Sequence, residues 1–180
     1  MAMRNDLIWL SVPALAAAAL PAHAVQYFTV EQAQHALFPD ANSFKEQRVL
    51  LAAEQRGAIE KASQVRVRNA ELHAWRVEAD GRHAGWFLVD EVYGKHEFIT
   101  YAVALDASGA VRGIEIMDYR ETHGGQVRNA NWRAQFHGKR AGAPLELDED
   151  IKNISGATLS CKHLADGVRR LLATYEAVLK

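Results

Sequence analysis

Ile154-Ser155-Gly156-Ala157-Thr158-Leu159-Ser160 sets hydroxyls and a glycine where a long amphipathic segment begins. Small side chains at Ser155, Gly156 and Ala157 let the backbone pass close to a ligand. The free N–H groups of a first helical turn favour a phosphate, and the Thr158 hydroxyl stands where a phosphate would sit. From Leu159 onward, Cys161, Leu164, Ala165, Val168, Leu171, Leu172, Tyr175, Val178 and Leu179 recur at three- and four-residue steps. Lys162, Asp166, Arg169, Arg170 and Glu176 fill the opposite face, so the turn opens a packed helix. Taken alone, a Ser or Thr here reads as an ordinary helix N-cap.

Other chemistries lack their residue patterns. The eight histidines form neither H-x-x-x-H nor H-E-x-x-H, and Cys161-Lys162-His163 is not a C-x-x-C-H haem attachment, so they read as surface histidines. Nucleophile-elbow, Walker and dinucleotide-fold glycine motifs are also missing from the sequence. A formal charge of −1 without a basic patch argues against nucleic acid as a partner. The single cysteine, Cys161, allows no intrachain disulfide and falls on the apolar helix face, where it reads as a small buried hydrophobe.

Several elements must position the turn. Thr29 to Phe38 reads as a helix with a Thr cap, stopped by Pro39-Asp40. Phe44 to Leu51 reads as a strand. Ala53 to Val65 reads either as a helix ending in a loop or as strand-turn-strand around Gly57, and the second is favoured here. Strand patterns follow at His73 to Glu78, Gly85 to Val92, Phe98 to Leu105 and Val111 to Met117, separated by Asp80-Gly81, Gly94-Lys95 and Ser108-Gly109. With further helices near Asn129 to Phe136 and at the end, the expected class is α+β: an antiparallel sheet with flanking helices in one domain, residues 25–180. Ahead of it, Arg4, the apolar run Leu7 to Leu20 and Ala22-His23-Ala24 read as a cleavable signal peptide over residues 1–24. The run is shorter than the ~20 residues that span a bilayer. The expectation is export to the periplasm, with an uncleaved anchor and membrane association as the alternative.

Five blocks in order carry a resemblance. They are Tyr93-Gly94; the Asp106-Ala107-Ser108-Gly109 turn with Val111-Arg112-Gly113-Ile114; Glu121-Thr122-His123-Gly124; Asn131-Trp132 with Gln135-Phe136-His137-Gly138-Lys139; and Ser155-Gly156-Ala157-Thr158 with Leu159-Ser160. Over roughly residues 86–172 the chain resembles the FMN-binding domain family, which includes the C subunit of the sodium-pumping quinone reductase and the G subunit of the Rnf complex. The resemblance implies FMN joined by a phosphoester to Thr158. A flavin transferase would install it, with FAD as donor and a divalent metal. It also implies that the Glu121-Thr122 loop lies near the flavin, with Thr122 offering a hydroxyl and Glu121 orienting it. Tyr93 or Trp132 would edge the ring or belong to the core, and Lys139 would face the phosphate. His123 departs from the family's usual proline, and a histidine beside a flavin can move protons or tune its potential.

Lys152 stands where the family usually carries an aspartate, with Asp148 and Asp150 upstream. This departure leaves open a reversibly held flavin. The leading expectation is an electron-transfer flavoprotein working between a membrane-associated donor and a periplasmic or membrane acceptor. The alternatives are a reversible flavin-binding or sensory module, and a reductase acting directly on a small acceptor.

Overall fold

The computed structural model describes residues 25–180, and the expected signal peptide lies outside the described residues. Six antiparallel strands form one sheet in the order β1-β6-β5-β4-β3-β2. They are β1 (Val25–Gln26), β2 (Ser43–Leu50), β3 (Glu71–Ala79), β4 (Arg82–Tyr93), β5 (Phe98–Asp106) and β6 (Val111–Tyr119). From β3 to β6 consecutive strands pair through connections of two to four residues. Asp80 and Gly81 both take positive φ (50° and 72°), the twist that a two-residue hairpin requires. The α+β architecture expected from the sequence is the one observed.

Alternation along the strands feeds two cores. Trp86, Leu88, Tyr101, Val103 and Leu105 point to one face, where they meet Cys161, Leu164, Val168, Leu171 and Leu172 of α4 (Thr158–Thr174). Phe87, Ala102, Ala104 and Met117 point to the other, covered by Ala33 and Leu37 of α1 (Val30–Leu37). A capping box starts α1: Thr29 Oγ1 accepts the Gln32 N–H at 3.2 Å, and the Gln32 side chain accepts the Thr29 N–H at 2.9 Å. The first expected helix is therefore present, with its cap.

The strand-turn-strand reading of residues 53–65 is corrected. The segment is a helix, α2 (Ala53–Ser63). Gln55 accepts the Ala52 N–H at 2.9 Å at its start, and Gln64 ends it in the left-handed region at φ 56°. Gly57 has open space around it and bends nothing. Ile59 and Ser63 are the helix's buried residues, with Ile59 packing beside Leu51, Val67 and Ala173, and so narrow an apolar face gives little helical signal. The helix expected near Asn129 to Phe136 is one short turn, α3 (Ala130–Arg133), continued by a tighter turn over Ala134–Phe136.

Candidate functional site

The Ser-Gly-Ala-Thr turn is formed by the chain just ahead of α4. Ala157 N–H donates to the Ile154 carbonyl at 2.9 Å, and Gly156 sits at φ 82° with nothing within 4 Å of where a Cβ would be. The residue at the N-cap is Ala157, which makes no side-chain cap bond, so neither Ser155 nor Thr158 is spent on capping. Thr158 is exposed at the first helical position, and Leu159 beside it is 44 % exposed.

The segment before the turn is pinned by the short helical stretch. The Trp132 indole N–H donates to the Lys152 carbonyl at 2.8 Å, and the Gln135 side-chain oxygen accepts the Lys152 N–H at 2.7 Å. Trp132 is buried against Phe136 and belongs to the core, while the Lys152 residue itself is exposed. Lys139 makes an ion pair with Asp150 at 2.7 Å, and Asp150 also accepts the Leu145 and Glu146 N–H groups. Burial alone would raise the Asp150 pKa, but Lys139 and these amides outweigh it and hold the carboxyl below the usual range. Lys139 thus anchors the 145–150 segment.

A second strand end meets the turn. The buried Tyr119 hydroxyl, at the end of β6, donates to the His123 carbonyl at 2.5 Å and therefore accepts from buried Ser160 Oγ at 3.2 Å. Ser160 is thus a brace inside the first turn of α4. Gly124, at φ 90°, lies so close that a Cβ there would be 2.5 Å from the Tyr119 hydroxyl and 2.8 Å from Ala157 Cβ. The Gly124→Ala substitution is expected to cost about 2–4 kcal/mol, joining left-handed strain to overpacking. A lower urea midpoint would register the loss, and an unchanged one would mean the loop does not press on the turn.

Glu121 is committed to the β4–β5 connection. Its Oε1 accepts the N–H groups of Lys95, His96 (2.6 Å) and Glu97 (3.1 Å). Burial alone would raise its pKa, but the amides outweigh burial and the net shift is downward. Because the folded carboxyl titrates below its ordinary value of 4.5, its contribution is complete above that value and fades as pH falls through the lower, folded one. The amide resonances of Lys95, His96 and Glu97 are expected to shift together in that acidic window. Glu121→Gln should abolish the shared transition, and its persistence would exclude Glu121 as the cause.

Tyr93 is 49 % exposed, outside the core. Its hydroxyl donates to the His96 carbonyl at 2.8 Å, its ring meets Phe98 edge-on at 5.2 Å, and its carbonyl accepts from His163 Nδ1 at 2.5 Å. That last bond ties the β4–β5 connection to the second turn of α4. Thr122 is exposed, with Oγ1 2.9 Å from His123 Nδ1.

Between loop and turn lies an open hollow of about 630 Å³, lined by residues 122–126, Arg128, Asn129, Ser155 and Gly156. Of the residues singled out from sequence, it gathers Thr122, His123, Ser155 and Gly156. Thr158, Leu159 and Ala157 adjoin it along the chain, whereas Tyr93, Glu121 and Lys139 are not among its lining. Gln126, Arg128 and Asn129 were not foreseen as lining residues. A glycine pair followed by polar residues was the available signal, but it does not reveal which way they face. Among the described residues, no three His, Cys, Asp or Glu residues group to hold a metal ion.

The FMN-binding domain family matches residues 94–173, a span that runs from the β4–β5 connection through the hollow and most of α4. No curated protein matches the chain significantly in sequence. Among solved structures, the C subunit of the Na(+)-translocating NADH-quinone reductase from Parabacteroides distasonis superposes with a TM-score of 0.54. It is 14 % identical, with 85 % of this chain and 86 % of that one covered, which is a likeness of fold. The loop, the hollow and the Ser-Gly-Ala-Thr turn all fall within residues 94–173, the part of the chain that matches the FMN-binding domain family.

Proposed function

We propose that the protein is an exported electron carrier that holds FMN through a phosphoester to Thr158 and passes electrons from a membrane-associated donor to a periplasmic or membrane acceptor. The observation that carries this reading is the exposed Thr158, unspent on capping, at the start of α4 beside a glycine-lined hollow inside an FMN-binding domain. The residues suit the group. The hollow's volume falls in the ~300–1,000 Å³ range of small-molecule sites. Gly125 and Gly156 leave open space that side chains would fill, and Thr122, Gln126, Asn129 and Ser155 supply polar groups. Two residues before Ser155, the buried Oδ1 of Asn153 has no protein partner.

Attachment would form a bond between Thr158 Oγ and the FMN phosphorus of FAD, break the pyrophosphate, release AMP and pass the hydroxyl proton to solvent. The chemistry belongs to a flavin transferase. The bound flavin supplies one- and two-electron redox chemistry. This chain's residues hold the phosphate end at the first turn of α4, and loop and turn shape the hollow. A tether keeps the flavin at an effective concentration on the order of millimolar, which suits a carrier outside the cytoplasm.

No helix of the described residues is long and apolar enough to cross a membrane. Export rests on the Arg4, Leu7 to Leu20 and Ala22-His23-Ala24 pattern. Lys152, at the position of the family's aspartate, supports the second reading, a reversible flavin-binding or sensory module. The deciding measurement is the intact mass of the exported protein co-expressed with a flavin transferase, beside Thr158→Ala. A gain of FMN minus water in the unsubstituted protein alone supports the carrier. An unmodified protein that binds free FMN supports the second reading.

A further inference from the structure

The hollow's lining has a one-sided charge. No carboxylate belongs to it, and Arg128 is its one permanently charged side chain. The guanidinium is held at two points: Nε donates to the Gly125 carbonyl at 3.3 Å, and the carbon centre lies 3.9 Å from the centroid of the Tyr27 ring. Tyr27 is itself fixed, its N–H donating to the Met117 carbonyl at 2.9 Å and its half-buried ring packing against the main core. Neither Nη of Arg128 has a partner among the described residues. A planar donor already held on one face loses little freedom on meeting an anion in the hollow.

We infer that Arg128, positioned by Tyr27, is the counter-charge for reduced flavin and so raises the potential of the bound cofactor. The inference deepens the proposed function and rests on its flavin occupying this hollow. At neutral pH, reduction adds two electrons from the reductant and one proton from solvent to the ring. The neutral oxidised ring becomes a monoanion, with the charge on the pyrimidine N1 and O2 side. A fixed cation beside that side stabilises the reduced ring more than the oxidised one, and only such a difference moves an equilibrium. The phosphate behaves differently, since its charge is the same in both redox states. An arginine serving the phosphate would change loading and leave the potential where it was. Tyr27 is a positioning residue in this scheme.

The test is a dithionite titration of the flavin-loaded protein with mediator dyes, followed by flavin absorbance at pH 7. It compares the unsubstituted protein with Arg128→Gln, Arg128→Lys and Tyr27→Leu. Arg128→Gln is expected to lower the preference for reduced over oxidised flavin about tenfold, which for a two-electron couple is about 30 mV. Arg128→Lys should retain part of the difference, and Tyr27→Leu should lose part of it with the charge intact. A loaded Arg128→Gln protein with an unshifted potential overturns the assignment while leaving the flavin reading in place. So does an Arg128→Gln protein that takes up no flavin when Arg128→Lys does, because the charge would then serve the cofactor in both redox states. An unsubstituted protein that binds no flavin, covalently or reversibly, overturns both.

Discussion

If Thr158 carries the flavin as proposed, Thr158→Ala is expected to leave the protein folded and to abolish covalent attachment completely. The two halves of this expectation separate because of where Thr158 sits. Its side chain is exposed, it makes no capping bond, and the N-cap preceding it is already an alanine. Alanine is the best helix former, and a surface change away from any special feature shifts stability by about 0.5 kcal/mol or less. Thermal or urea unfolding of the variant should therefore overlay that of unmodified parent protein. The flavin outcome has no partial form, since no other hydroxyl occupies the same place: Ser160 is buried against Tyr119, and Ser155 lies at the start of the turn, ahead of α4. Flavin fluorescence in a denaturing gel provides the readout. A fluorescent Thr158→Ala band would move attachment elsewhere, with Ser155 the next residue to substitute. Thr158→Ser keeps a hydroxyl at the position and should recover some modification if the transferase tolerates a primary alcohol.

The sequence pattern exposed the parts governed by local rules. Period-two alternation over β3 to β6 and the turn residues between them predicted the antiparallel sheet, and Thr29 before an apolar stripe predicted α1 with its cap. The turn before α4 was legible because glycine and small residues interrupt two regular patterns. Local rules failed over residues 53–65, where two buried residues cannot display a helical period and tertiary packing against Leu51, Val67 and Ala173 decided the outcome. They also said little about facing. The resemblance gives Glu121 the task of orienting Thr122 beside the flavin, but its carboxylate accepts three amides from a connection folded back onto it. The resemblance turns Lys139 toward the phosphate, yet Asp150 holds it. Arg128 gains its significance from Tyr27, a residue brought close only when β1 pairs with β6. Contacts of this kind exist only after the sheet has formed.

Asp90→Ala is expected to cost about 3 kcal/mol and to loosen the helix that presents Thr158. Asp90 Oδ2 accepts from the Tyr101 hydroxyl at 3.0 Å and from Arg170 Nη2 at 2.5 Å, joining β4, β5 and α4 under the same helix. Tyr101 is completely buried; burial first, and then the Asp90 charge, push its pKa well above the ordinary tyrosine value, so it remains a donor. Gly167 on α4 is pressed against this hydroxyl, for a Cβ there would overlap it. The network thus fixes how α4 rotates on the sheet, and with it the direction of its first turn. Removing the carboxylate strands a guanidinium whose side chain is only 14 % exposed, together with a buried hydroxyl. Breaking a buried pair on one side costs ~3–5 kcal/mol, and the partial exposure of Arg170 with two long contacts to the Arg66 and Glu91 carbonyls argues for the low end. Pairing Asp90→Ala with Arg170→Met should recover much of the loss, because the stranded charge is the expensive part. Urea midpoints of the two single variants and the double variant measure this directly. A double variant as unstable as the sum of the singles would mean that Asp90 and Arg170 act independently, and that packing around Gly167 alone sets the helix.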